Sequence, residues 1–286
     1  MTAGPRPTPA LRLEGLTKRF GRVLAADRVD LELARGEVLA LLGENGAGKT
    51  TLMNMLFGHY VPDEGRILVG DGAGRLRPLP LGEPSALLAA GIGMVHQHFT
   101  LAHNLTALDN IVLGAEPLFA WRRRRGAARE KVEGLMAASG LTVALEVPVG
   151  RLGVGERQRV EILKALFRDA RVLILDEPTA VLTPPEADTL FANVRRLAAD
   201  GLAVVFISHK LHEVLAFSDR IAVLRAGRKV AEVAATEADA RGLAALMVGH
   251  ETPPLRRTRA TPNRPVLELD DVHAPAPTGG RGLHGA

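Results

Sequence analysis

A glycine-rich loop at residues 43–50 constrains the fold of this chain more than any other feature. It reads Gly-Glu-Asn-Gly-Ala-Gly-Lys-Thr, with glycine at its first, fourth and sixth positions. Glycines let backbone N–H groups turn inward around phosphate oxygens, and a following helix directs its positive end at the same group. A short, largely apolar run at 37–42 precedes the loop, and a segment with helical character at 50–57 follows it. We therefore predict a strand–loop–helix unit that binds phosphate.

The side chains that close this loop have specific predicted parts in nucleotide binding. Lys49 can reach β- and γ-phosphates and contribute to catalysis there, and the Thr50 hydroxyl can ligate Mg²⁺. An ordinary glycine turn is the alternative, but the strand before the loop and the helix after it disfavour that interpretation. The candidate nucleotide-binding residues of this segment are Gly43, Glu44, Asn45, Gly46, Ala47, Gly48, Lys49, Thr50 and Thr51.

A second apolar run, residues 172–175, ends in two adjacent carboxylates, Asp176 and Glu177. A buried parallel strand would deliver Asp176 to its carboxyl end, where ligands bind in such sheets. We predict that Asp176 holds Mg²⁺ and that Glu177 polarises the attacking water as a general base. A capping role for the aspartate is the simpler alternative, and the loop upstream argues against it.

Three further side chains are candidates, and two of them follow predicted strands. His209 follows the strand at 203–207 and can donate a hydrogen bond to a γ-phosphate. Gln97 follows the strand at 91–95, and its neutral amide can contact both Mg²⁺ and water. Phe20 can stack on adenine. Taken alone, each has a simpler interpretation: a helix-start residue, a polar loop residue and a core aromatic, respectively.

Together these motifs resemble the ATPase domain of ABC transporters. Their order and spacing agree with that family over roughly residues 11–249. The resemblance implies that the chain binds and hydrolyses ATP with Mg²⁺. It identifies Phe20 as the aromatic A-loop residue, residues 43–50 as Walker A and Gln97 as the Q-loop residue. It also identifies Asp176–Glu177 as the end of Walker B and His209 as the switch histidine.

Three longer stretches resemble one subgroup, the tandem-domain ATPases of simple-sugar and nucleoside importers. They are Met94–Phe99, Gly155–Leu166 and Asp176–Pro184. The subgroup implies a second ABC ATPase domain, as a homodimer or tandem half, together with integral membrane permease subunits and an extracytoplasmic substrate-binding protein. It also implies a peripheral location on the cytoplasmic face of the bacterial plasma membrane. Nucleic acid is not an expected partner.

The signature loop departs from the pattern of the family. The family reads Leu-Ser-x-Gly-x, whereas residues 152–156 read Leu-Gly-Val-Gly-Glu. The serine hydroxyl is thus missing at Gly153, although backbone N–H groups at Gly153 and Gly155 can still bind phosphate. One lost charge-assisted hydrogen bond is worth roughly 1.5–3 kcal/mol. In the family two domains close head to tail, so Gly153 would serve the ATP held by the partner.

The predicted fold class is α/β. It comprises a P-loop NTPase core with a mostly parallel sheet flanked by helices, an N-terminal antiparallel β portion and an inserted α-helical subdomain at about 99–167. Short apolar strands that alternate with helices imply such a sheet. The spacing of Leu267–Val272 repeats that of Leu11–Leu16, which suggests a second copy of the domain. We expect a disordered leader at 1–10, the ABC ATPase domain at 11–249, a linker at 250–264 and the start of a truncated second ABC domain at 265–286.

Composition narrows the function only slightly. Hydrophobic residues make up 47% and charged residues 24%, as in ordinary globular proteins. The absence of cysteine excludes disulfide scaffolds and cysteine-based sites. The net charge of +4 mildly favours anionic partners. The run Arg122–Arg125 is most simply a solvated face, with attraction to anionic lipid or nucleic acid as the alternative.

Two other functions stay open at this point. The first is an ABC ATPase that is not tied to transport and acts on ribosomes or DNA. Such fused proteins usually carry a long charged helical linker, and residues 251–265 are rich in proline instead. The second is a nucleotide-binding module whose hydrolysis is impaired by Gly153 and by truncation.

Overall fold

The computed structural model describes residues 9–72, 74–97, 99–115, 121–249, 268 and 270–273, with the backbone alone for residues 121–124. Two compact units divide the chain, residues 1–251 and 252–286. Of the second unit, the described residues 268 and 270–273 contain neither helix nor strand. The predicted linker at 250–264 and most of the predicted second-domain start lie outside the described residues.

The elements of the first unit follow the order that the sequence predicts, with some additions. The strands are β1 (Pro9–Phe20), β2 (Val23–Ala34), β3 (Val38–Leu42), β4 (Glu64–Gly70), β5 (Leu76–Pro78), β6 (Ile92–Val95), β7 (Val172–Asp176), β8 (Ala203–Ile207), β9 (Arg220–Arg225) and β10 (Arg228–Ala234). The helices are α1 (Lys49–Leu56), α2 (Pro84–Ala89), α3 (Ala107–Val112), α4 (Trp121–Ser139), α5 (Val154–Phe167), α6 (Pro184–Ala199), α7 (Leu211–Phe217) and α8 (Ala240–Val248).

The strands form two sheets. A four-stranded antiparallel sheet has the order β2-β1-β4-β5, and a six-stranded sheet has the order β10-β9-β3-β8-β7-β6. Neighbouring strands from β9 to β6 pair in parallel, and only β10 at the edge of this sheet is antiparallel. This arrangement confirms the predicted α/β class, including the antiparallel portion near the N-terminus.

The six-stranded sheet is buried on both faces. Along β3, Val38 and Ala40 belong to a core that includes residues of α5 and α6, whereas Leu39 and Leu41 belong to a core that includes residues of α1 and the four-stranded sheet. Successive side chains of a strand point to opposite faces, so a strand between two layers must be apolar throughout. This burial explains the uninterrupted apolar runs in β3, β7 and β8.

The described regular elements between residues 99 and 167, where an inserted helical subdomain is predicted, are all helical. They comprise α3, α4 and α5 with a short 3-10 turn at Val149–Arg151. None of the helices in the described part of the chain is both long and apolar enough to cross a lipid bilayer.

Residues 9 and 10 of the predicted leader at 1–10 lie in a strand, and the rest of that leader lies outside the described residues. β1 begins at Pro9, which pairs with Ala34 of β2, and Ala10 is buried. The ladder extends beyond the alternating segment Leu11–Leu16, and Pro9 is tolerated because it is the first residue of the strand.

Candidate functional site

The candidate side chains meet where neighbouring parallel strands of the larger sheet end. The glycine-rich loop follows β3, His209 follows β8, Asp176 and Glu177 stand at the end of β7, and Gln97 follows β6. In this sheet β3, β8, β7 and β6 are successive neighbours. The carboxyl ends of parallel strands lie along one edge, so residues distant in sequence are brought together there.

Close packing of the backbone requires two of the loop glycines. A Cβ atom at Gly48 would lie 2.3 Å from the carbonyl oxygen of Ala25, and the φ of Gly48 is +100°. A Cβ atom at Gly43 would lie 2.4 Å from the carbonyl oxygen of Leu224. Both contacts are far shorter than van der Waals distance, so only glycine lets β2 and β9 approach the loop this closely.

Lys49 is the first residue of α1 and is buried, with 7% of its surface exposed. Its Nζ donates hydrogen bonds to the carbonyl oxygens of Gly43 at 2.7 Å and Glu44 at 2.8 Å. Burial lowers the pKa of Lys49, and the negative charges of Glu177, Asp176 and Glu44 oppose that shift. The ammonium group is thus held inside the loop, next to the two carboxylates at the end of β7.

Asp176 is held in a less polar setting than an ordinary surface aspartate. Burial raises its pKa, the neighbouring Glu177 raises the pKa further, and the charge of Lys49 opposes both effects. Deprotonated Asp176 therefore gains from any cation bound beside it.

Two predicted residues, His209 and Gln97, converge on the side chain of Glu177. Its Oε1 lies 3.2 Å from Nδ1 of His209, and its Oε2 accepts a hydrogen bond from Nε2 of Gln97 at 3.4 Å. Its backbone N–H donates to the carbonyl oxygen of Ile207 at 3.1 Å, and its φ is +45°. Left-handed backbone is uncommon for a residue with a side chain, and strain of this kind gathers at functional sites.

Two cavities that share several lining residues open around the loop. The first has about 740 Å³ and is lined by Gly43, Glu44, Asn45, Thr50, Gln97, Glu177, His209 and Met247. The second has about 420 Å³ and includes Asn45, Gly46, Gly48, Lys49, Thr50, Thr51, Gln97, Asp176 and Glu177 in its lining. Of the predicted loop residues, Ala47 alone lines neither cavity; it is buried beneath them.

Several lining residues were not predicted from the sequence. Val23, Leu24 and Ala25 of β2 line the second cavity together with Ala226, and Met247 of α8 lines the first. They contribute backbone and apolar surface rather than reactive groups. For Val23, Leu24 and Ala25 the sequence signal is their position shortly after Gly21, where the chain turns from β1 into β2.

Phe20 lies at the end of β1 and is 43% exposed. Its ring packs edge-on against Tyr60, with 5.3 Å between ring centroids, and Nζ of Lys18 lies 5.6 Å from its centroid. Phe20 is absent from the lining of both cavities, whereas Val23 and Leu24 in the same hairpin are present. Its stacking on adenine stays a prediction.

The signature residues Gly153 and Gly155 lie apart from this site, at the start of α5, and line neither cavity. The backbone N–H of Gly153 donates to Oε2 of Glu156 at 2.9 Å. A Cβ atom at Gly155 would lie 3.1 Å from Oε1 of Glu186 in α6. The structure thus separates the signature loop from the loop that resembles Walker A.

The predicted magnesium ligands suit that ion chemically. Thr50 and Gln97 line both cavities and Asp176 lines the second, so they offer a hydroxyl, an amide and a carboxylate oxygen. Mg²⁺ prefers such oxygen ligands and keeps waters or substrate phosphates as the others. Within the described residues no group of three or more His, Asp or Glu is placed to hold a metal ion. Three such protein oxygens would leave the other positions around an octahedral ion to water or phosphate oxygens.

Comparison with known proteins identifies one family. The family model described as "ABC transporter" matches residues 26–180. A glucose import ATP-binding protein of Haloferax volcanii is 43% identical over 93% of this chain and 53% of its own length. A ribose import ATP-binding protein of Burkholderia thailandensis is 46% identical over 91% of this chain and 51% of its own. The chain spans about half the length of the curated relatives it matches.

Solved structures share the fold. The ADP conformation of an ATP-binding cassette of an ABC transporter has a TM-score of 0.72 and 27% identity, covering 85% of this chain and 99% of that chain. A dimeric post-hydrolysis state of an ATP-binding cassette bound to ADP and Pi has a TM-score of 0.62 and 26% identity, covering 79% of this chain and 98% of that chain.

Proposed function

This chain belongs to the ABC transporter family, and on that premise we propose that it binds MgATP on the 43–50 loop and hydrolyses it to energise import of a simple sugar or nucleoside. The observation that carries the proposal is the convergence of Gln97 and His209 on Glu177, next to Lys49. This arrangement supplies a phosphate-binding cation and a positioned carboxylate base in one place.

Each residue would have a separate part in hydrolysis. Lys49 and the N-terminus of α1 would hold the β- and γ-phosphates. Mg²⁺ held by Thr50, Gln97 and Asp176 would neutralise phosphate charge. Glu177 would accept a proton from the attacking water. His209 would hold the Glu177 carboxylate through Nδ1, and donation from Nε2 to the γ-phosphate at the same time would require the doubly protonated imidazolium ring.

A second ABC domain, either another copy or a tandem half, would complete this site. Two observations support that arrangement: Gly153 and Gly155 line neither cavity, and a solved relative with ADP and Pi is dimeric. The signature loop of one domain would then close on the nucleotide of the other. Because Gly153 lacks a hydroxyl, this chain would stabilise the partner's ATP with one hydrogen bond fewer.

The relatives support the proposed import function, because they are import ATP-binding proteins for glucose and ribose. Integral membrane permease subunits and an extracytoplasmic substrate-binding protein would be the partners. The chain would act as a peripheral protein at the cytoplasmic face of the bacterial plasma membrane.

A groove beside Gln97 is the proposed contact for a cytoplasmic segment of the permease. A cavity of about 310 Å³ there is lined in part by His59, His96 and Lys164. His96 precedes Gln97, and Gln97 contacts Glu177. A change in the bound nucleotide would therefore be transmitted from Glu177 to Gln97 and then to His96, which lines this groove.

One alternative has its own supporting observation: a nucleotide-binding module with impaired hydrolysis, favoured by Gly153. The test measures phosphate release from MgATP by the wild type and by Glu177→Gln, alone and in proteoliposomes with co-purified permease subunits. Glu177-dependent release that the permease stimulates supports the importer. ATP binding with no release in either preparation favours the module. Phosphate release that the permease subunits do not change, together with a failure of those subunits to co-purify, favours an ABC ATPase that is not tied to transport.

A further inference from the structure

We infer that Glu213 is a positioning residue for hydrolysis, which holds the loops that carry Glu177 and His209 in register. The inference rests on the proposed function. Glu213 lies in the first turn of α7 and is buried, with 2% of its surface exposed. Neither the ATPase motifs nor the lining of the two cavities includes it.

The Glu213 carboxylate joins two loops that leave neighbouring strands. Thr179, in the loop after β7, places its Oγ1 at 2.7 Å and 2.8 Å from the two carboxylate oxygens. Ser208, in the loop after β8, donates from Oγ to Oε2 at 3.0 Å. A single acceptor group thus ties residue 179 to residue 208 beyond the carboxyl ends of both strands.

Lys210 balances the charge of this network. Its Nζ lies 3.1 Å from Oε1 of Glu213 and donates to the backbone oxygen of Thr179 at 2.9 Å. Its backbone N–H donates to Oγ of Ser208 at 3.0 Å. A buried carboxylate without partners would be strongly unfavourable, whereas this one has two hydroxyl donors and an ammonium group.

The network lies immediately beside the reacting groups. Thr179 is two residues after Glu177, and Ser208 and Lys210 flank His209. Glu177 has the left-handed backbone described above, which persists only where surrounding contacts over-determine it. The Glu213 network supplies such contacts from residues that line neither cavity. Removing the carboxylate would release both loops, and the 3.2 Å contact between Glu177 and His209 would lose its support.

The first test is Glu213→Gln, which keeps the volume of the side chain and removes its charge. We expect kcat for ATP hydrolysis to fall by about 10-fold or more, as for loss of a hydrogen bond to a charged group. The Kd for MgATP should stay unchanged, because Lys49 and the loop glycines are untouched. Glu37→Gln is the matched control: Glu37 is a largely buried carboxylate paired with Arg220 just before β3 begins, at the opposite end of that strand from the loop.

A double-mutant cycle separates positioning from general stability. If Glu213 acts through His209, then Glu213→Gln should cause little further loss of kcat in a His209→Ala background. The inference would be overturned if kcat of the double variant fell by the product of the factors measured for the two single variants. Ser208→Ala removes one donor to Glu213 and provides a milder variant should Glu213→Gln unfold, as judged by circular dichroism.

A last measurement does not depend on turnover. The His209 ring signal in an NMR spectrum, assigned by its loss in His209→Ala, should move in Glu213→Gln and in Ser208→Ala but not in Glu37→Gln. An unmoved signal would overturn the inference. Absence of hydrolysis by the wild type together with a moved signal would instead count against the proposed function alone.

Discussion

The imidazole of His209 and the carboxylate of Glu177 lie within hydrogen-bonding distance, with 3.2 Å between Nδ1 and Oε1. Gln97 approaches the other oxygen of the same carboxylate from the opposite strand neighbour of β7. Glu177 is thus held from both sides by residues that follow β8 and β6. A carboxylate fixed in this way offers its lone pairs in a defined direction, as a general base requires.

Glu177→Gln should bind MgATP as tightly as the wild type while its turnover falls by a factor of about 100 or more. The amide keeps the shape of the side chain and cannot take a proton from water. Isothermal titration with MgATP and a phosphate-release assay measure the two quantities. Full turnover in this variant would exclude Glu177 as the base.

Lys49→Ala should abolish tight MgATP binding. The Nζ group is already desolvated and held between the carbonyl oxygens of Gly43 and Glu44, so it needs little reorganisation to meet a phosphate. Loss of one or two charge-assisted hydrogen bonds predicts a Kd higher by about 10- to 100-fold or more. Lys229→Ala, which removes an amine paired with Glu232, is the control. Equal affinity of Lys49→Ala and the control would refute the assignment of the loop.

Gly48→Ala and Gly46→Ala should differ sharply although both glycines have positive φ. The new methyl group at residue 48 would meet the carbonyl oxygen of Ala25 at 2.3 Å, whereas the methyl group at residue 46 has nothing within 4 Å. Gly46→Ala should therefore cost only the backbone strain of about 1–2 kcal/mol. Gly48→Ala should also displace β2 and lose nucleotide binding. Thermal unfolding and ATP titration of both variants make the comparison, and similar behaviour would contradict it.

Gly153→Ser should fit without strain, because φ at this residue is −63° and its Cβ would lie 3.5 Å from Oε2 of Glu156. The added hydroxyl should raise turnover by about 10-fold or more, but only in a homodimer or with a second domain that presents ATP to it. Gly126→Ser adds a hydroxyl in α4, where nothing lies within 4 Å, and serves as the control. No change in any assembly would mean that the missing hydroxyl is tolerated.

Burial raises the pKa of Asp176 above the ordinary aspartate value of 3.8. As the pH is lowered, Mg²⁺-dependent ATP binding should therefore begin to weaken while the pH is still above 3.8. The folded protein binds this proton more tightly than the unfolded chain does. The stability contributed by Asp176 is therefore greatest below pH 3.8 and is lost as the pH rises through the raised pKa.

Asp176→Asn should consequently raise the melting temperature of the nucleotide-free protein at neutral pH while removing the Mg²⁺ dependence of binding. Asp63→Asn is the control of opposite sign, because the backbone N–H of Arg19 and the side chain of Lys18 lower the pKa of Asp63. That variant should lower the melting temperature slightly. A lower melting temperature for Asp176→Asn would contradict the assignment of its pKa.

The central strands were predictable because they are buried on both faces. β3, β7 and β8 appear in the sequence as uninterrupted apolar runs, and their observed bounds differ from the predicted ones by about one residue. β4, in contrast, begins with exposed residues 64–66 and lacks clear alternation, so the pattern carried no signal for it. The short elements β5 and α2, together with α8, were also missed.

The meeting of Gln97, Asp176 and His209 at one edge of the sheet was predictable because each lies at or just after the end of a buried strand, and their roles in catalysis stay predictions. The sequence could not reveal contributions that arise only where segments distant along the chain come close together in the fold. The carbonyl oxygen of Ala25 excludes any side chain at Gly48, and nothing in either local sequence indicates their proximity. Glu213 was missed for a related reason: a buried acidic residue in a helix has the same local pattern as a solvated one.

The position of β3 within its sheet has a consequence for synthesis of the protein. β3 pairs with β8, as Val38 with Val204, and with β9, as Leu39 with Arg220. A ribosome must therefore complete the chain beyond residue 225 before the strand that presents the nucleotide loop has both neighbours. Until then this apolar strand keeps open edges, a state that favours aggregation and binding by chaperones. Nascent chains that end before Ala203 should neither bind ATP nor stay monomeric.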